Sequence, residues 1–184
     1  MGDNWKYYQF PENCLQTQDF NSMKLLYLLL LGFSFQHLSA QEGPLSAFEN
    51  LLGTWVSEGK QLGGHDGKTV KNFEKGLDGA IIKVMTYTTD PQTLLFGLRN
   101  EGIRIFNSES ELVEFYEFDK HGGVTKGEVI IEGKNIHYQY SYGGLTLRDS
   151  WTFMNNNEYI YTVASFKEGK QDQLHHQGVF KREE

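Results

Sequence analysis

The sequence predicts an all-β protein: an antiparallel up-and-down β-barrel of about ten strands, with a short N-terminal helix before the first strand. From residue 54 onward, short runs rich in Val, Ile, Thr, Tyr and Phe are separated by turns rich in Gly, Asn and Asp. No helical segment interrupts this series, and the chain contains only three prolines, so strand pairing is rarely blocked. A meander of this length removes its exposed edges by closing on itself. A two-sheet sandwich is the alternative arrangement.

The segment before the barrel has the features of an export signal. Read from Met23, it begins with Lys24, continues with the run LLYLLLL, and ends with small residues suited to cleavage after Ala40 or Gln41. Its apolar run of eleven residues is shorter than the roughly 20 residues that a membrane-spanning helix needs. We therefore expect a signal peptide over residues 23–40.

This interpretation sets the domain boundaries. Residues 1–22 are acidic overall, and we expect them to be a leader outside the fold that results from an over-extended start. An uncleaved amphipathic helix docked on the domain is the alternative. Residues 41–184 are long enough to bury a core and are expected to form the barrel domain. Export would place that domain in a secreted or periplasmic location, with no stable membrane span after cleavage.

Charge and cysteine content narrow the classes of partner and site. The net charge is −7 at pH 7 and the charges are scattered, which disfavours nucleic acid and anionic membrane surfaces as partners. The only cysteine, Cys14, lies upstream of the export signal. The domain after the signal therefore has no disulfide, no cysteine metal ligand and no cysteine nucleophile. We expect a small molecule as the partner, and the sequence gives no basis for an oligomeric state.

The first structured element is predicted over the run LSAFENLL. Ser46 is suited to cap a helix, and Glu49 follows at the capping-box spacing. Four apolar residues of this run share one side of the helix, namely Leu45, Phe48, Leu51 and Leu52. The helix is expected to end at Gly53, where the first strand opens.

Period-2 alternation in the later strands separates an aromatic face from a polar face. The aromatic face carries Tyr138 and Tyr140 in NIHYQYSY, Trp151 in TLRDSWTFM, and Tyr161 in EYIYTVASF. A barrel of about eight to ten strands is wide enough to hold a small ligand as well as its own side chains. These aromatic residues are therefore candidates for the lining of a cavity. Cross-strand aromatic packing is the structural interpretation of the same rows, and the two are compatible.

The stretch FENLLGTWVSEG resembles the start of lipocalins and fatty-acid-binding proteins, the calycins. In that group a Gly-x-Trp follows a short helical segment and opens an up-and-down barrel. In lipocalins the Trp packs at the closed end beneath a basic residue from near the end of the last strand. The resemblance implies that Trp55 and Arg182 are structural partners, a contact that contributes about 0.5–2 kcal/mol. The chain looks most like small exported bacterial barrels with no assigned activity.

The stretch GTWVSEG also resembles the start of the nitrobindins, which are haem-binding barrels. A His near their C-terminal strand holds the haem iron, and LHHQGVFKR offers His175 and His176 at that place. Adjacent residues of a strand point to opposite faces, so only one of the two is able to face the interior. We favour His176, because Gly178 on the same face leaves space for a ligand. A half-buried His satisfied by one hydrogen bond is the alternative.

Two carboxylates are candidates for acid–base chemistry. Asp149 and Glu114 each share a strand face with aromatic residues, and raised pKa values would suit them to proton transfer. Arg148 and Arg104 are able to neutralise them or to bind an anionic ligand. A register shift of one residue would place these charges outside instead. The sequence has no phosphate-binding loop between a strand and a helix, no G-x-S-x-G and no H-E-x-x-H.

Together these patterns indicate an exported β-barrel that binds a small, mostly apolar ligand in an aromatic-lined cavity. The predicted ligand-binding residues are Tyr138, Tyr140, Trp151, Tyr161, His176 and Arg148. One alternative function is a haem-binding barrel that uses His176. The other is a small-barrel enzyme that uses Asp149 and Glu114 as acid and base. The sequence does not identify the ligand.

Overall fold

Ten antiparallel strands build a barrel in the computed structural model, which describes residues 43–59, 62, 67–90 and 92–183. The strands are β1 (Gly53–Ser57), β2 (Thr69–Gly76), β3 (Ile81–Thr89), β4 (Phe96–Asn107), β5 (Leu112–Asp119), β6 (Val124–Glu132), β7 (Asn135–Tyr142), β8 (Leu145–Asn155), β9 (Glu158–Lys167) and β10 (Lys170–Arg182). The predicted leader (1–22) and signal peptide (23–40) lie outside the described residues. Within the described part of the chain, no helix is long and apolar enough to cross a membrane.

The barrel closes through its first strand. Each strand from β2 to β9 pairs with the next one along the chain, and the short strand β1 pairs with both β2 and β10. Trp55 of β1 lies opposite Lys71 on one side and opposite Arg182 on the other. This closure confirms the predicted up-and-down barrel of ten strands and excludes the two-sheet sandwich.

The predicted N-terminal helix is a short 3-10 helix, Ser46–Leu51. The predicted capping box is wrong: Leu45 is the N-cap residue, and no side chain caps the helix. The helix begins at Ser46, one residue earlier than a Ser46 cap requires, and Glu49 pairs with Lys75 of β2 at 2.6 Å instead. A second 3-10 helix, Leu77–Gly79, connects β2 to β3.

Side chains alternate between the barrel interior and its outer surface along each strand. The interior near the start of β1 is filled by apolar and aromatic side chains that are almost fully buried. They are Phe48, Leu51, Trp55, Phe73, Ile82, Tyr159 and Phe180. We call this set the apolar base. It closes one end of the barrel by packing alone, in line with the absence of cysteine from the described residues.

Trp55 of the apolar base contacts both the N-terminal 3-10 helix and the last strand. Its side chain is completely buried, and its Nε1 donates a hydrogen bond to the carbonyl oxygen of Leu51 at 2.7 Å. The guanidinium carbon of Arg182 lies 4.3 Å from the centre of the indole ring. Arg182 also donates to the carbonyl oxygens of Leu52 and Asn50. The last strand is therefore joined to the 3-10 helix by a cation–π contact and by two hydrogen bonds that satisfy its final carbonyls.

Gly127 of β6 leaves the space that two neighbouring strands occupy. A Cβ at this position would lie 2.1 Å from the carbonyl oxygen of Gln139 and 2.9 Å from Cε1 of Phe115. We expect Gly127→Ala to lower the free energy of unfolding by about 2 kcal/mol, because backbone of β7 must move. Gly97→Ala in β4 is the matched control, since nothing lies within 4 Å of a Cβ there. Urea unfolding of both variants measures the difference, and equal stability would contradict the prediction.

Candidate functional site

Four charged side chains project into the barrel above the apolar base. They are Lys71 of β2, Arg104 of β4, Glu117 of β5 and Asp149 of β8. Alternation puts each of them on the core face of its strand: Lys71 is two residues from Phe73, for example. We call these four residues the charged layer. The layer holds two positive and two negative groups, so it is neutral when all four are ionised.

Arg104 and Glu117 form an ion pair within the charged layer, in which Arg104 is fully buried and Glu117 is partly buried. Arg104 is fully buried; its Nε donates to the hydroxyl of Tyr138 at 2.7 Å, and its Nη2 donates to Glu117. The other carboxylate oxygen of Glu117 accepts from Asn100 at 2.8 Å. Although burial acts to raise the pKa of Glu117, the charges of Arg104 and Lys71 hold that pKa below its ordinary value. The buried Nη1 of Arg104 has no hydrogen-bond partner among the described residues.

Asp149 is held by two tyrosine hydroxyls. Tyr161 donates to one carboxylate oxygen at 2.6 Å, and Tyr140 donates to the other at 2.9 Å. Burial raises the pKa of Asp149 to about 6, against the opposing effects of the Tyr161 hydrogen bond and the positive charge of Lys71. Burial also raises the pKa of both tyrosines, which therefore remain hydrogen-bond donors at neutral pH. Asp149 is thus a carboxylate that changes its ionisation close to physiological pH.

Lys71 is a buried cation surrounded by aromatic rings. Only 7% of the residue is exposed. The rings are those of Tyr161, Trp151 and Phe180, whose centres lie 3.9, 5.2 and 6.0 Å from Nζ. We call these three rings the aromatic cage. No ion pair or hydrogen bond joins Lys71 to another of the described residues. Burial lowers the pKa of its amine to about 8, although Glu117 and Asp149 act to raise it.

Aromatic side chains from β5, β7, β8 and β9 form a continuous wall next to the charged layer. The ring centres of Phe115 and Tyr138 are 4.7 Å apart, and those of Tyr138 and Trp151 are 4.3 Å apart. The series continues to Tyr161, whose ring centre is 5.0 Å from that of Trp151. These tilted and stacked contacts hold the rings at fixed angles. The wall therefore offers flat apolar surface beside hydrogen-bond donors.

His176 lies further from the apolar base than the aromatic cage does. It is on the inward face of β10 with Gly178 and Phe180, and its ring centre is 5.6 Å from that of Tyr161. Burial lowers its pKa, and the positive charges of Lys71 and Arg99 act in the same direction. The imidazole is therefore neutral at pH 7, with lone-pair electrons for a hydrogen bond or a metal.

No protein-family model matches the chain, and a search of curated proteins finds no match. The closed, ten-stranded antiparallel barrel is compatible with a calycin-like fold. The function has to be argued from the side chains that the fold brings together.

The structure brings five of the six predicted ligand residues to the interior. These five are Tyr138, Tyr140, Trp151, Tyr161 and His176. Arg148 is placed elsewhere: it donates to Oε1 of Gln139 at 2.9 Å, and its guanidinium carbon lies 4.5 Å from the ring centre of Phe166. Because Arg148 adjoins the inward-facing Asp149, alternation turns it outward. The interior arginine is Arg104.

The two predicted acid–base carboxylates are not brought together. Glu114 lies on the outward face of β5, where it accepts hydrogen bonds from Tyr116 at 2.8 Å and from Asn107 at 3.0 Å. Those hydrogen bonds lower its pKa, which is the opposite of what a general acid needs. The inward-facing carboxylate of β5 is Glu117, which shares its face with Phe115. The alternative in which Glu114 and Asp149 both face the interior as acid and base is therefore wrong for Glu114, which lies on the outer face of its strand.

Sequence reasoning missed Lys71, an interior charged residue that has no hydrogen bond or ion pair with another of the described residues. In the run TVKNFEKG a lysine looks like a solvated strand residue. The signal that would have found it is Phe73, two residues further on the same face, together with the pairing of Lys71 opposite Trp55. That pairing becomes visible only when the first strand closes the barrel.

A pocket lies at the end of the barrel opposite the apolar base. Its volume is about 620 Å³, and its lining includes Thr88, Phe96, Arg99, Asp119 and Lys120. The β3–β4 connection beside it carries exposed apolar side chains, and an ion pair of 2.5 Å joins Lys120 to Asp90. The pocket therefore combines apolar surface with fixed charges at the mouth of the barrel.

Proposed function

We propose that the protein binds a small, flat, mostly apolar molecule inside the barrel, with a hydrogen-bond acceptor of the ligand directed at the charged layer. The observation that carries this proposal is Lys71, a residue only 7% exposed whose amine faces the aromatic cage and has no acceptor among the described residues. A buried donor without a partner costs free energy, which a ligand acceptor would recover. The buried Nη1 of Arg104, which has no hydrogen-bond partner among the described residues, is a donor of this kind in the same layer.

The charge balance of the layer supports a neutral ligand. Arg104 and Lys71 are matched by Glu117 and Asp149, so the protein already compensates its buried cations. An anionic ligand would add a third negative charge in a region of low dielectric constant. A neutral oxygen, such as that of a ketone, an aldehyde or an amide, accepts from Lys71 without that cost.

Two broader assignments belong to the same proposal. The protein is a calycin-like barrel, as the Gly53-Thr54-Trp55 start and the ten-stranded meander suggest. It is exported through the segment 23–40 and acts in a secreted or periplasmic setting, as the leucine-rich run and the small residues after it suggest. Mass determination of the protein recovered from the producing cell tests the second assignment.

A neutral, polarity-sensitive naphthalene ketone, 6-propionyl-2-(dimethylamino)naphthalene, tests the binding site. We expect saturable binding with a blue-shifted emission, because the ring would leave water for the aromatic wall. Val163→Trp fills the interior beside Asp149 and should weaken binding by at least about tenfold. Thr162→Trp is the matched control on the outward face of the same strand and should leave the affinity within about twofold.

The two variants also show how the proposal fails. Equal binding by the wild type and Val163→Trp would place the dye outside the barrel. No saturable binding by the folded wild-type protein would remove the proposed ligand class. Circular dichroism of each variant shows whether the barrel is intact before its affinity is compared.

A second candidate ligand is haem, held by His176. The observation in its favour is the inward-facing, neutral imidazole beside Gly178, a residue without a side chain. Titration of the same protein with haemin distinguishes the two: a Soret shift that His176→Phe abolishes would favour haem. The dye experiment does not depend on that result, since Val163→Trp is judged by dye binding.

A further inference from the structure

Lys71 combines three features that a purely structural lysine does not need. The residue is only 7% exposed, its amine lies 3.9 Å from the centre of the Tyr161 ring, and the amine has no ion-pair partner among the described residues. The other lysine of the same strand behaves differently, since Lys75 is half exposed and pairs with Glu49. A buried amine within apolar walls is the arrangement in which lysine acts as a nucleophile toward carbonyl groups.

We propose that Lys71 captures small aromatic aldehydes covalently and reversibly, through an imine formed inside the barrel. The inference rests on the proposed function, because the aldehyde is the acceptor-bearing ligand of the previous section. The aromatic wall supplies the surface for the ring of the aldehyde, and the aromatic cage holds the amine in place.

The reaction balances without an added oxidant, reductant or cofactor. The lone pair of the Lys71 nitrogen forms a bond to the aldehyde carbon, and the carbonyl oxygen takes up a proton to give a carbinolamine. The nitrogen lone pair then forms the second carbon–nitrogen bond as the carbon–oxygen bond breaks, and the oxygen leaves as water with both former amine protons, which gives a neutral imine. Uptake of one proton from water gives the protonated imine. Addition of water to the imine reverses the sequence and releases the aldehyde.

The charge balance of the interior favours this product over a bound carboxylate. A protonated imine keeps the single positive charge of Lys71, which Glu117 and Asp149 already oppose. The three rings of the cage attract an iminium as they attract the ammonium. A carboxylate ligand would instead meet two existing carboxylates in the same layer.

The ionisation of the amine is in keeping with the proposal. Only the unprotonated amine attacks a carbonyl, and burial lowers the pKa of Lys71 to about 8. At pH 7 this pKa gives about three hundred times more unprotonated amine than an exposed lysine has. Lys71 should therefore react ahead of the lysines on the surface, even though a weaker base is a poorer nucleophile.

Trapping with cyanoborohydride tests the inference on the full chain. The protein is incubated at pH 7 with 2-naphthaldehyde and sodium cyanoborohydride, which reduces an imine to a stable secondary amine. We expect one naphthylmethyl group per chain, located at Lys71 by peptide mapping, at a rate at least about tenfold above that of any other lysine. Even labelling across the surface lysines would overturn the inference.

Variants and an unreactive analogue separate this inference from the proposed function. Lys71→Arg keeps a cation within the cage but forms no stable imine, so the fast label should disappear; Lys71→Met serves if the arginine variant does not fold. Lys75→Arg is the matched control on the same strand and should keep the fast label. The alcohol 2-naphthylmethanol tests binding without a carbonyl, by competition with the naphthalene ketone. Competition without fast labelling at Lys71 overturns only the imine, whereas the absence of both competition and labelling overturns the binding proposal as well.

Discussion

Glu117→Gln should lower the free energy of unfolding by about 3 kcal/mol at pH 7, a large effect for one isosteric substitution. The change removes the only carboxylate paired with Arg104 among the described residues, while Arg104 itself is completely buried. A buried guanidinium without a counter-charge is far less favourable than the intact pair. Guanidinium chloride unfolding of the wild type and the variant measures the difference.

Two further variants show whether the loss comes from the unpaired charge. Glu114→Gln alters the outward-facing carboxylate of the same strand, so we expect a much smaller change than for Glu117→Gln. Arg104→Met added to Glu117→Gln removes the orphaned cation and should restore part of the lost stability. A Glu117→Gln variant as stable as Glu114→Gln would show that solvent reaches Arg104 and that the layer is not a buried one.

The contrast between Glu114 and Glu117 shows how much of the site the sequence predicts. Alternation places the two residues on opposite faces of one strand. Both faces carry aromatic residues, however: Tyr116 lies on the face of Glu114, and Phe115 lies on the face of Glu117. Periodicity alone does not decide which of two such faces is buried. Pairing with the neighbouring strands decides it, because Phe115 lies opposite Arg104 and Gly127.

The aromatic wall was easier to predict than the charged layer for a physical reason. Rows such as Tyr138 with Tyr140 gain free energy by burial in any closed barrel, so their inward direction follows from composition and alternation. Lys71 loses free energy by burial, and nothing local to its strand requires that position. Charged residues that a fold buries at a cost are the ones that sequence reasoning places outside, and they are candidates for function.

Asp149 should show that cost directly, as a stability penalty that depends on pH. Burial raises its folded-state pKa to about 6 from an ordinary value of 3.8, so the folded protein binds this proton more tightly than the unfolded chain does. The Asp149 contribution therefore favours folding below pH 3.8 and declines as the pH rises toward 6. Lys71 behaves in the opposite sense: with a folded pKa of about 8 against 10.5, its penalty is complete below pH 8 and disappears above 10.5.

Asp149→Asn should consequently raise the free energy of unfolding at pH 7.5 by up to about 3 kcal/mol and change it little near pH 4. The amide still reaches the hydroxyls of Tyr140 and Tyr161, whose protons are free to rotate, so the hydrogen-bonded frame is kept. Urea unfolding of both proteins between pH 4 and pH 8 measures the difference curve. Its midpoint should fall between 3.8 and about 6, and a difference that does not vary with pH would show that Asp149 is not desolvated. Retention of that carboxylate at such a cost is expected of a binding interior rather than of a purely structural core.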